Sequence, residues 1–306
     1  MGLSLDITAY LEEKKAVIED WLKRAIPPET PALATIHQAM RYSLMARSKR
    51  IRPILTLATA EAMGGKIEAA LPFACALELI HTYSLIHDDL PAMDNDDFRR
   101  GQPTNHKVFG EAMAILAGDA LLTQAFILMS SPSLAMCSSS PPLVSPQLTL
   151  RIIQEIAKAA GVEGMVGGQV MDVELEGQPA TLAQVEDMHR LKTGAIFLAA
   201  VRVGGLVAEA SEEQMEILSC YGRHIGLAFQ IVDDVLNVEG QPQVLGKSVG
   251  SDRLARKATF PSVLGLEESK RCARQHYALA IQALEGFDSR ADTLRALAEF
   301  VVGRRF

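Results

Sequence analysis

The stretch MEILSCYGRHIGLAFQIVDDVLN, residues 215–237, decides the fold class. Six of its apolar residues recur at intervals of three or four positions, which is typical of the buried face of a helix. They are Leu218, Tyr221, Ile225, Ala228, Val232 and Val235. The stretch therefore predicts one long amphipathic helix.

Helix start signals occur elsewhere in the chain. Ser211 with Gln214, and Thr181 with Gln184, have the spacing of capping boxes, in which both side chains bond backbone N–H groups. Pro53 is expected at the first position of another helix, where its missing N–H costs nothing. No segment alternates convincingly as a strand does, so we predict an all-α bundle of roughly ten helices.

One segment, SSPSLAMCSSSPPLVSPQ (130–147), interrupts the helical pattern because most of its residues are Ser or Pro. It is expected to be an irregular loop. A domain linker is the alternative, but the two halves of one predicted site, described below, lie on either side of it. We therefore predict a single domain over residues 1–306 with a surface loop at 130–147.

Composition excludes several classes of protein. Apolar residues make up 48% and charged residues 22%, as in soluble globular proteins. The net charge of −7 argues against a nucleic-acid partner. The four cysteines are widely spaced, which argues against a zinc site or a disulfide framework and suits a reducing compartment. With no signal peptide and no long uncharged apolar run, we expect a cytoplasmic protein without stable membrane association.

An apolar helical run, FACALELIHTYSLIH (73–87), leads directly into an acidic cluster. On one continuous helix Asp88 and Asp94 would lie about 120° apart. Pro91 disfavours helix at Leu90, so Asp94 is expected to fold back towards Asp88. Carboxylates at the negative end of a helix dipole are costly unless a cation neutralises them. Oxygen ligands alone favour Mg²⁺, especially where a substrate phosphate completes its coordination.

A second acidic cluster lies on the long helix. A row of small and polar residues opposite the apolar stripe predicts a face that lines a cavity. The row comprises Gly222, Gly226, Gln230, Asp233 and Asn237. Asp233 and Asn237 are one turn apart and are expected to approach the same ion.

Either Asp-Asp pair alone is more often a solvated helix end. Two pairs that each follow an apolar run, 145 residues apart, favour one shared metal–phosphate site. Cations accompany the first pair, since Lys49-Arg50-Ile-Arg52 precedes it and Arg99-Arg100 follows it. This arrangement indicates diphosphate recognition by charge-assisted hydrogen bonds. Taken alone, the basic tetrad is more often a solvated helix end, and His81 a hydrogen-bonded core histidine.

Over essentially its whole length the sequence resembles the short-chain trans-prenyltransferases, most closely the bacterial farnesyl diphosphate synthases. The long acidic motif with its Arg pair is the most specific marker. The markers are KRIRP (49–53), ELIH (78–81), HDDLPAMDNDDFRRGQPTNH (87–106), GDALL (118–122), GGQVMD (167–172), HRLKTGA (189–195), GLAFQIVDD (226–234), LGK (245–247) and KATFP (257–261).

The resemblance implies an isoprenoid-synthase-type bundle around a central cavity, forming a homodimer, and it assigns roles to residues of this chain. The implied metal ligands, for three Mg²⁺ ions or alternatively Mn²⁺, are Asp88, Asp94, Asp233 and Asp234. The implied contacts of an allylic diphosphate are Arg99, Lys192, Lys247 and Lys257, with Thr193 and Gln230 nearby. The implied contacts of isopentenyl diphosphate are Lys49, Arg52, His81 and Arg100.

The implied reaction is ionisation of the allylic diphosphate, followed by attack of isopentenyl diphosphate and loss of a proton. Thr193 and Gln230 are expected to direct oxygens at the allylic cation. No protein nucleophile is needed, which agrees with the absence of a Ser-His-Asp or Cys-His signature. Tyr83 and Ser84 are expected to limit the product near fifteen carbons, giving farnesyl diphosphate.

Three departures from the family pattern keep alternatives open, and one of them is the Ser/Pro-rich segment 130–147, which has no assigned role. Arg47-Ser48 replaces the usual Gly-Gly, so a turn that often relies on glycine must form otherwise. Asn237 replaces the last Asp of the second motif and brings no charge. The alternatives are a geranylgeranyl diphosphate synthase, a weakly active regulatory subunit of the same fold and a terpene cyclase.

Overall fold

The computed structural model describes residues 6–131, 143–239 and 257–303, and most of these are helical. The predicted all-α fold is confirmed. The helices are α1 (Ile7–Ala25), α2 (Ala34–Leu44), α3 (Ile51–Ala62), α4 (Ile67–Asp88), α5 (Asn105–Phe109), α6 (Glu111–Ser130), α7 (Pro146–Ala160), α8 (Met165–Leu175), α9 (Leu182–His189), α10 (Ala195–Val207), α11 (Glu212–Glu239), α12 (Phe260–Leu264), α13 (Leu266–Ala283) and α14 (Asp292–Val302).

Shorter elements connect the helices. A π-helical turn, Arg190–Gly194, joins α9 to α10, and 3₁₀ turns cover Pro31–Leu33 and Ser289–Ala291. The expectation that no strand occurs is wrong at one place, a minimal antiparallel hairpin of β1 (Phe98–Arg99) and β2 (Gln102–Pro103).

The predicted long helix is α11, and its apolar stripe is entirely buried. Its start is the predicted capping box, in which Gln214 N–H donates to Ser211 Oγ at 3.2 Å and Ser211 N–H donates to Gln214 Oε1 at 2.9 Å. Thr181 and Gln184 form the second capping box at the start of α9. Local side-chain bonds therefore fix where both helices begin.

The prediction for Pro53 is wrong by two positions. Helix α3 begins at Ile51, so Pro53 is its third residue. The first turn of a helix has no intrahelical acceptor for its N–H groups, so proline is tolerated there as well.

The prediction for the Ser/Pro-rich segment is wrong at its two ends. Ser130 is the last residue of α6, and Pro146 begins α7 with Ser145 as its N-cap. Residues 132–142, the centre of the predicted loop, lie outside the described residues.

Helix α4 lies at the centre of the fold and packs against α3, α6 and α10. Two described helices, α4 and α6, are long and apolar enough to cross a membrane by length and composition. In α4, 83% of the apolar window is buried, and in α6 only 39%. Helix α4 is therefore a core helix, whereas α6 has an outer apolar face.

Candidate active site

A cavity of about 1300 Å³ lies between α3, α4, α8, the π turn and α11. Every predicted site residue within the described part of the chain lines it. These residues are Lys49, Arg52, His81, Tyr83, Ser84, Asp88, Asp94, Arg99, Arg100, Lys192, Thr193, Gln230, Asp233, Asp234 and Lys257. Lys247 lies outside the described residues.

The first acidic cluster is formed by a chain reversal at the end of α4. The helix ends at Asp88, and the N–H of Asp94 donates to the Asp88 carbonyl at 2.8 Å. The predicted return of Asp94 towards Asp88 after Pro91 is confirmed. Lys257 Nζ lies 2.7 Å from Asp94 Oδ1. Asp94 therefore forms an ion pair with a lysine that is itself predicted to contact the allylic diphosphate.

The hairpin holds two predicted cations at the cavity. Its two-residue loop, Arg100-Gly101, has φ angles of 55° and 81°, as in the turns that suit the twist of hairpin strands. Arg99 Nε and Nη2 each lie 2.6 Å from Asp89 Oδ1. Asp89, to which sequence analysis gave no role, is only 3% exposed and orients Arg99.

A buried carboxylate that sequence analysis did not assign, Asp172, joins two predicted lysines. Its Oδ2 accepts from Lys192 Nζ at 2.6 Å and from Lys257 Nζ at 3.4 Å. Burial acts to raise the pKa of Asp172, but the positive charges of Lys192 and Lys257 outweigh burial and lower that pKa. The GGQVMD motif contained this residue, but nothing in its spacing indicated the partners.

The π turn places Lys192 and Thr193 on the cavity wall. Single π turns occur frequently at functional sites. Gly168 of α8 packs against this turn so closely that a Cβ there would lie 2.1 Å from Lys192 N. Glycine at 168 is therefore required for α8 to approach the turn.

The second acidic cluster is only partly as predicted. Gln230, Asp233 and Asn237 of α11 line the cavity, but Gly222 and Gly226 do not. A Cβ at Gly226 would lie 2.9 Å from Phe197 Cβ, so this glycine serves close helix packing. The prediction that these two glycines line the cavity is wrong, since small residues at helical spacing also permit helices to approach each other.

The two residues of the second Asp-Asp pair have different surroundings. Asp233 is partly exposed, whereas Asp234 is 3% exposed and accepts hydrogen bonds through both carboxylate oxygens. Gln230 Nε2 donates to Oδ1 at 2.9 Å, and Phe260 N–H donates to Oδ2 at 3.0 Å. His189 Nε2 lies 3.1 Å from Oδ2.

The turn that precedes α3 forms without glycine at positions 47 and 48. The left-handed conformation falls instead on Arg50, with φ of 51°. Arg50 is buried, where its Nη1 donates to Glu78 Oε1 at 2.6 Å and its Nη2 donates to the Leu44 carbonyl at 2.6 Å. This buried ion pair holds the turn that carries Lys49 and Arg52 to the cavity.

The basic side of the cavity also contains His81. Burial, with the charges of Arg52 and Arg100, holds the pKa of His81 well below 6.5. His81 is therefore neutral at pH 7, and its Nε2, 3.2 Å from Arg52 Nη1, accepts a hydrogen bond because guanidinium only donates. The Arg52 guanidinium also lies 5.0 Å from the Phe197 ring centroid.

Tyr83 forms part of the cavity wall one turn before the acidic cluster. Its ring contacts His87 edge-on, with centroids 5.7 Å apart. The His87 ring in turn occupies the space beside Gly118 of α6, where a Cβ would lie 2.1 Å from Nε2. The sequence predicted a role for Tyr83, but no pattern in it indicated that His87 and Gly118 support this ring.

The donor set suits Mg²⁺ bound together with a substrate. Asp88, Asp94 and Asp233 offer only carboxylate oxygens, the ligands that Mg²⁺ prefers. Among the described residues, no three His, Cys, Asp or Glu side chains are close enough to hold a metal ion by themselves. Phosphate oxygens of a ligand would therefore have to complete the coordination.

A polyprenyl synthetase family model matches residues 33–299. The farnesyl diphosphate synthase of Geobacillus stearothermophilus is 47% identical over 301 residues, which cover 98% of each chain. The geranylgeranyl diphosphate synthase of Cyanophora paradoxa is 46% identical over 302 residues, covering 98% of this chain and 97% of that enzyme. The solved geranyltransferase of Helicobacter pylori, complexed with magnesium and isoprenyl diphosphate, has a TM-score of 0.85 at 27% identity and covers 99% and 100% of the two chains.

Proposed function

The chain belongs to the polyprenyl synthetase family, and we propose a specific reaction for it. The protein condenses isopentenyl diphosphate head-to-tail with dimethylallyl and then geranyl diphosphate, using Mg²⁺, and releases farnesyl diphosphate and diphosphate. The observation that carries the proposal is that the aspartates of both clusters and two groups of cations line the same cavity.

Asp88, Asp94 and Asp233 bind the metal-bound allylic diphosphate on the acidic side. Bound Mg²⁺ supplies positive charge that stabilises the leaving diphosphate. Lys192 and Lys257 exchange part of their contacts with Asp172 and Asp94 for contacts with that anion, as Arg99 grips it from the hairpin. The C–O bond electrons leave with diphosphate, and donors fixed in advance stabilise the developing charge.

Lys49, Arg52 and Arg100 bind the diphosphate of isopentenyl diphosphate on the basic side. Neutral His81 accepts from Arg52 and so holds the guanidinium in place. The π electrons of isopentenyl diphosphate then attack the allylic carbon, and the released diphosphate takes the proton. Lys247 is proposed as a further contact of the allylic diphosphate.

Tyr83 supports farnesyl diphosphate as the product, since a bulky ring on the wall of α4 shortens the space for the growing chain. A geranylgeranyl diphosphate synthase is the second candidate. The relative from Cyanophora paradoxa favours it, because its identity to this chain is nearly that of the farnesyl diphosphate synthase relative.

The test is incubation of purified protein and Mg²⁺ with labelled isopentenyl diphosphate and each of three acceptors, dimethylallyl, geranyl and farnesyl diphosphate. We expect fifteen-carbon product from the first two and little from the third. Efficient elongation of farnesyl diphosphate would establish the second candidate. No turnover with any acceptor would indicate a regulatory subunit, and a cyclic hydrocarbon from one diphosphate a cyclase.

We also propose a cytoplasmic homodimer in which α6 contacts a second copy. The outer face of α5 and α6 exposes large apolar side chains, namely Val108, Ile115, Leu116 and Ile127. Exposed apolar patches of this kind mark interaction sites. Sedimentation velocity is expected to give a dimer, and Leu116→Glu a monomer, with Leu279→Glu on α13 as the exposed control. A monomeric wild-type protein would contradict this proposal.

A further inference from the structure

In both Asp-Asp pairs the first aspartate is partly exposed at the cavity and the second is buried. Asp88 and Asp233, the first of each pair, are partly exposed at the cavity. Asp89 and Asp234, the second of each pair, are each 3% exposed and bonded to another cavity-lining side chain. Asp89 binds Arg99, and Asp234 binds Gln230. The repetition indicates that the second aspartate orients a neighbour.

Asp234 is held by donors from three separate elements. These are Gln230 within α11, the first N–H of α12 and the last residue of α9, His189. A carboxylate only accepts hydrogen bonds, so Nε2 of His189 carries the hydrogen. The His189 ring stacks on Phe260 with an interplanar angle of 13°, which fixes its position further. To ligate a metal ion, Asp234 would have to surrender at least one of these bonds.

The bond from Gln230 to Asp234 determines which way the amide points. Because Asp234 only accepts, it binds the NH₂ group of Gln230 and leaves Oε1 at the other end. That oxygen accepts from Thr193 Oγ1 at 2.8 Å. The single hydroxyl hydrogen of Thr193 is therefore donated to Gln230. The remaining lone pairs of Thr193 Oγ1 and Gln230 Oε1 lie beside the cavity that both residues line.

We propose that Asp234 is a positioning residue and not a metal ligand: it fixes Gln230, and through it Thr193, so that both present oxygen lone pairs to the reacting allylic carbon. The inference rests on the proposed function, which it deepens. As the C–O bond breaks, its electron pair leaves on diphosphate and the allylic group becomes cationic until the new C–C bond forms. Oxygen lone pairs stabilise that cation, whereas a reversed amide would present N–H groups and oppose it.

The test compares Asp234→Asn with Asp233→Asn. Asparagine at 234 has one acceptor oxygen, too few for three donors, so the Gln230 amide loses its fixed direction. Calorimetric titration with inorganic pyrophosphate and Mg²⁺ reports the metal site without catalysis. We expect Asp234→Asn to bind within about twofold of wild type, and Asp233→Asn to bind about tenfold more weakly or worse. Equal weakening by both variants would overturn the proposal.

Steady-state kinetics supplies the second readout. We expect Asp234→Asn to lower kcat about tenfold or more, with an unchanged KM for isopentenyl diphosphate and an unchanged Mg²⁺ requirement. In a Gln230→Leu background the same substitution is expected to have little further effect, because both changes remove one arrangement. If the loss of kcat in the double variant equalled the product of the two single losses, the inference would be overturned.

Removing a buried carboxylate can prevent folding, so Gln230→Leu also serves as a test by itself. It is expected to reproduce the loss of kcat while retaining pyrophosphate affinity, and an unchanged kcat would count against the proposal. If wild-type protein couples no substrates, the proposed function fails, whereas the calorimetric comparison still decides whether Asp234 is a ligand.

Discussion

The two sides of the cavity differ in charge, since aspartates line one side and cations line the other. On the acidic side, the cavity is lined by Asp88 at the end of α4, Asp94 in the turn that follows and Asp233 of α11. The nearby cation Lys257 is paired with Asp94 and Asp172. On the basic side, a turn, a helix start and a hairpin bring cations together. The carboxylate that lines the cavity there, Glu78, is bound by Arg50.

The difference predicts how each proposed diphosphate substrate would be bound. A diphosphate beside Asp88, Asp94 and Asp233 would meet like charges. Arg99, Lys192 and Lys257 would offset these charges only in part because each is already paired with a carboxylate, so metal ions would be needed as well. On the basic side Lys49, Arg52 and Arg100 complement a diphosphate directly. The comparison therefore predicts a metal-dependent allylic subsite and a metal-independent homoallylic subsite.

The largest effect is expected at the acidic side itself. Asp88→Asn removes one charge from the metal-binding set and is expected to lower kcat/KM by about a thousandfold or more. Asp97→Asn is the matched control, since Asp97 is exposed, pairs with Lys107 and does not line the cavity. Steady-state assays of both variants check this, and equal losses would refute a specific role of Asp88.

Removal of Mg²⁺ separates the two sides. With EDTA present, the affinity for dimethylallyl diphosphate is expected to fall about a hundredfold, and that for isopentenyl diphosphate to change less than about twofold. Arg52→Leu is expected to give the reverse pattern. Equilibrium binding of each substrate alone measures both effects. A metal requirement of equal size for the two substrates would contradict the prediction that only the allylic subsite depends on metal.

Substitution of the tyrosine on the α4 wall changes the product more than the rate. Tyr83→Ala opens the wall beside His87, so the product is expected to lengthen towards twenty carbons, with kcat within about threefold of wild type. Tyr42→Ala, outside the main cavity, is the control. Chromatography of the products decides, and an unchanged chain length would reject the wall model.

The smallest effect concerns the pH dependence of stability. Burial and Arg52 hold the folded pKa of His81 well below 6.5, the value expected in the unfolded chain. Between these values the unfolded chain binds a proton that the folded chain does not, so the free energy of unfolding falls as pH drops below about 6.5. His81→Gln is expected to lose less stability than wild type between about pH 7 and pH 5. Urea unfolding at each pH measures this, and equal losses would contradict it.

The apolar stripe of α11 and the return of Asp94 towards Asp88 were predictable because both depend on residues close together in the sequence. The period of the apolar stripe on α11 required only side-chain spacing. The chain reversal to Asp94 followed from the restriction that Pro91 places on the residue before it. The family resemblance then identified cations whose common location no local pattern reveals.

The remaining features depend on long-range contacts. Asp172 contacts Lys257, 85 residues away, and nothing in the motif around either residue specifies that pairing. Gly226 has the spacing of the cavity row but packs against Phe197, since spacing alone does not distinguish a cavity from a close neighbour. The different surroundings of Asp233 and Asp234 likewise arise from Phe260 and His189, which other elements supply.

Joint binding of one diphosphate by aspartates of α4 and α11 is tested most directly by a double-mutant cycle. Affinity for dimethylallyl diphosphate in saturating Mg²⁺ would be measured by calorimetry for wild type, Asp88→Asn, Asp233→Asn and the double variant. Because both residues act on one metal-bound ligand, we predict that the combined loss differs from the product of the single losses by at least about fivefold. Losses that simply multiply, or a single variant that binds normally, would contradict a shared site.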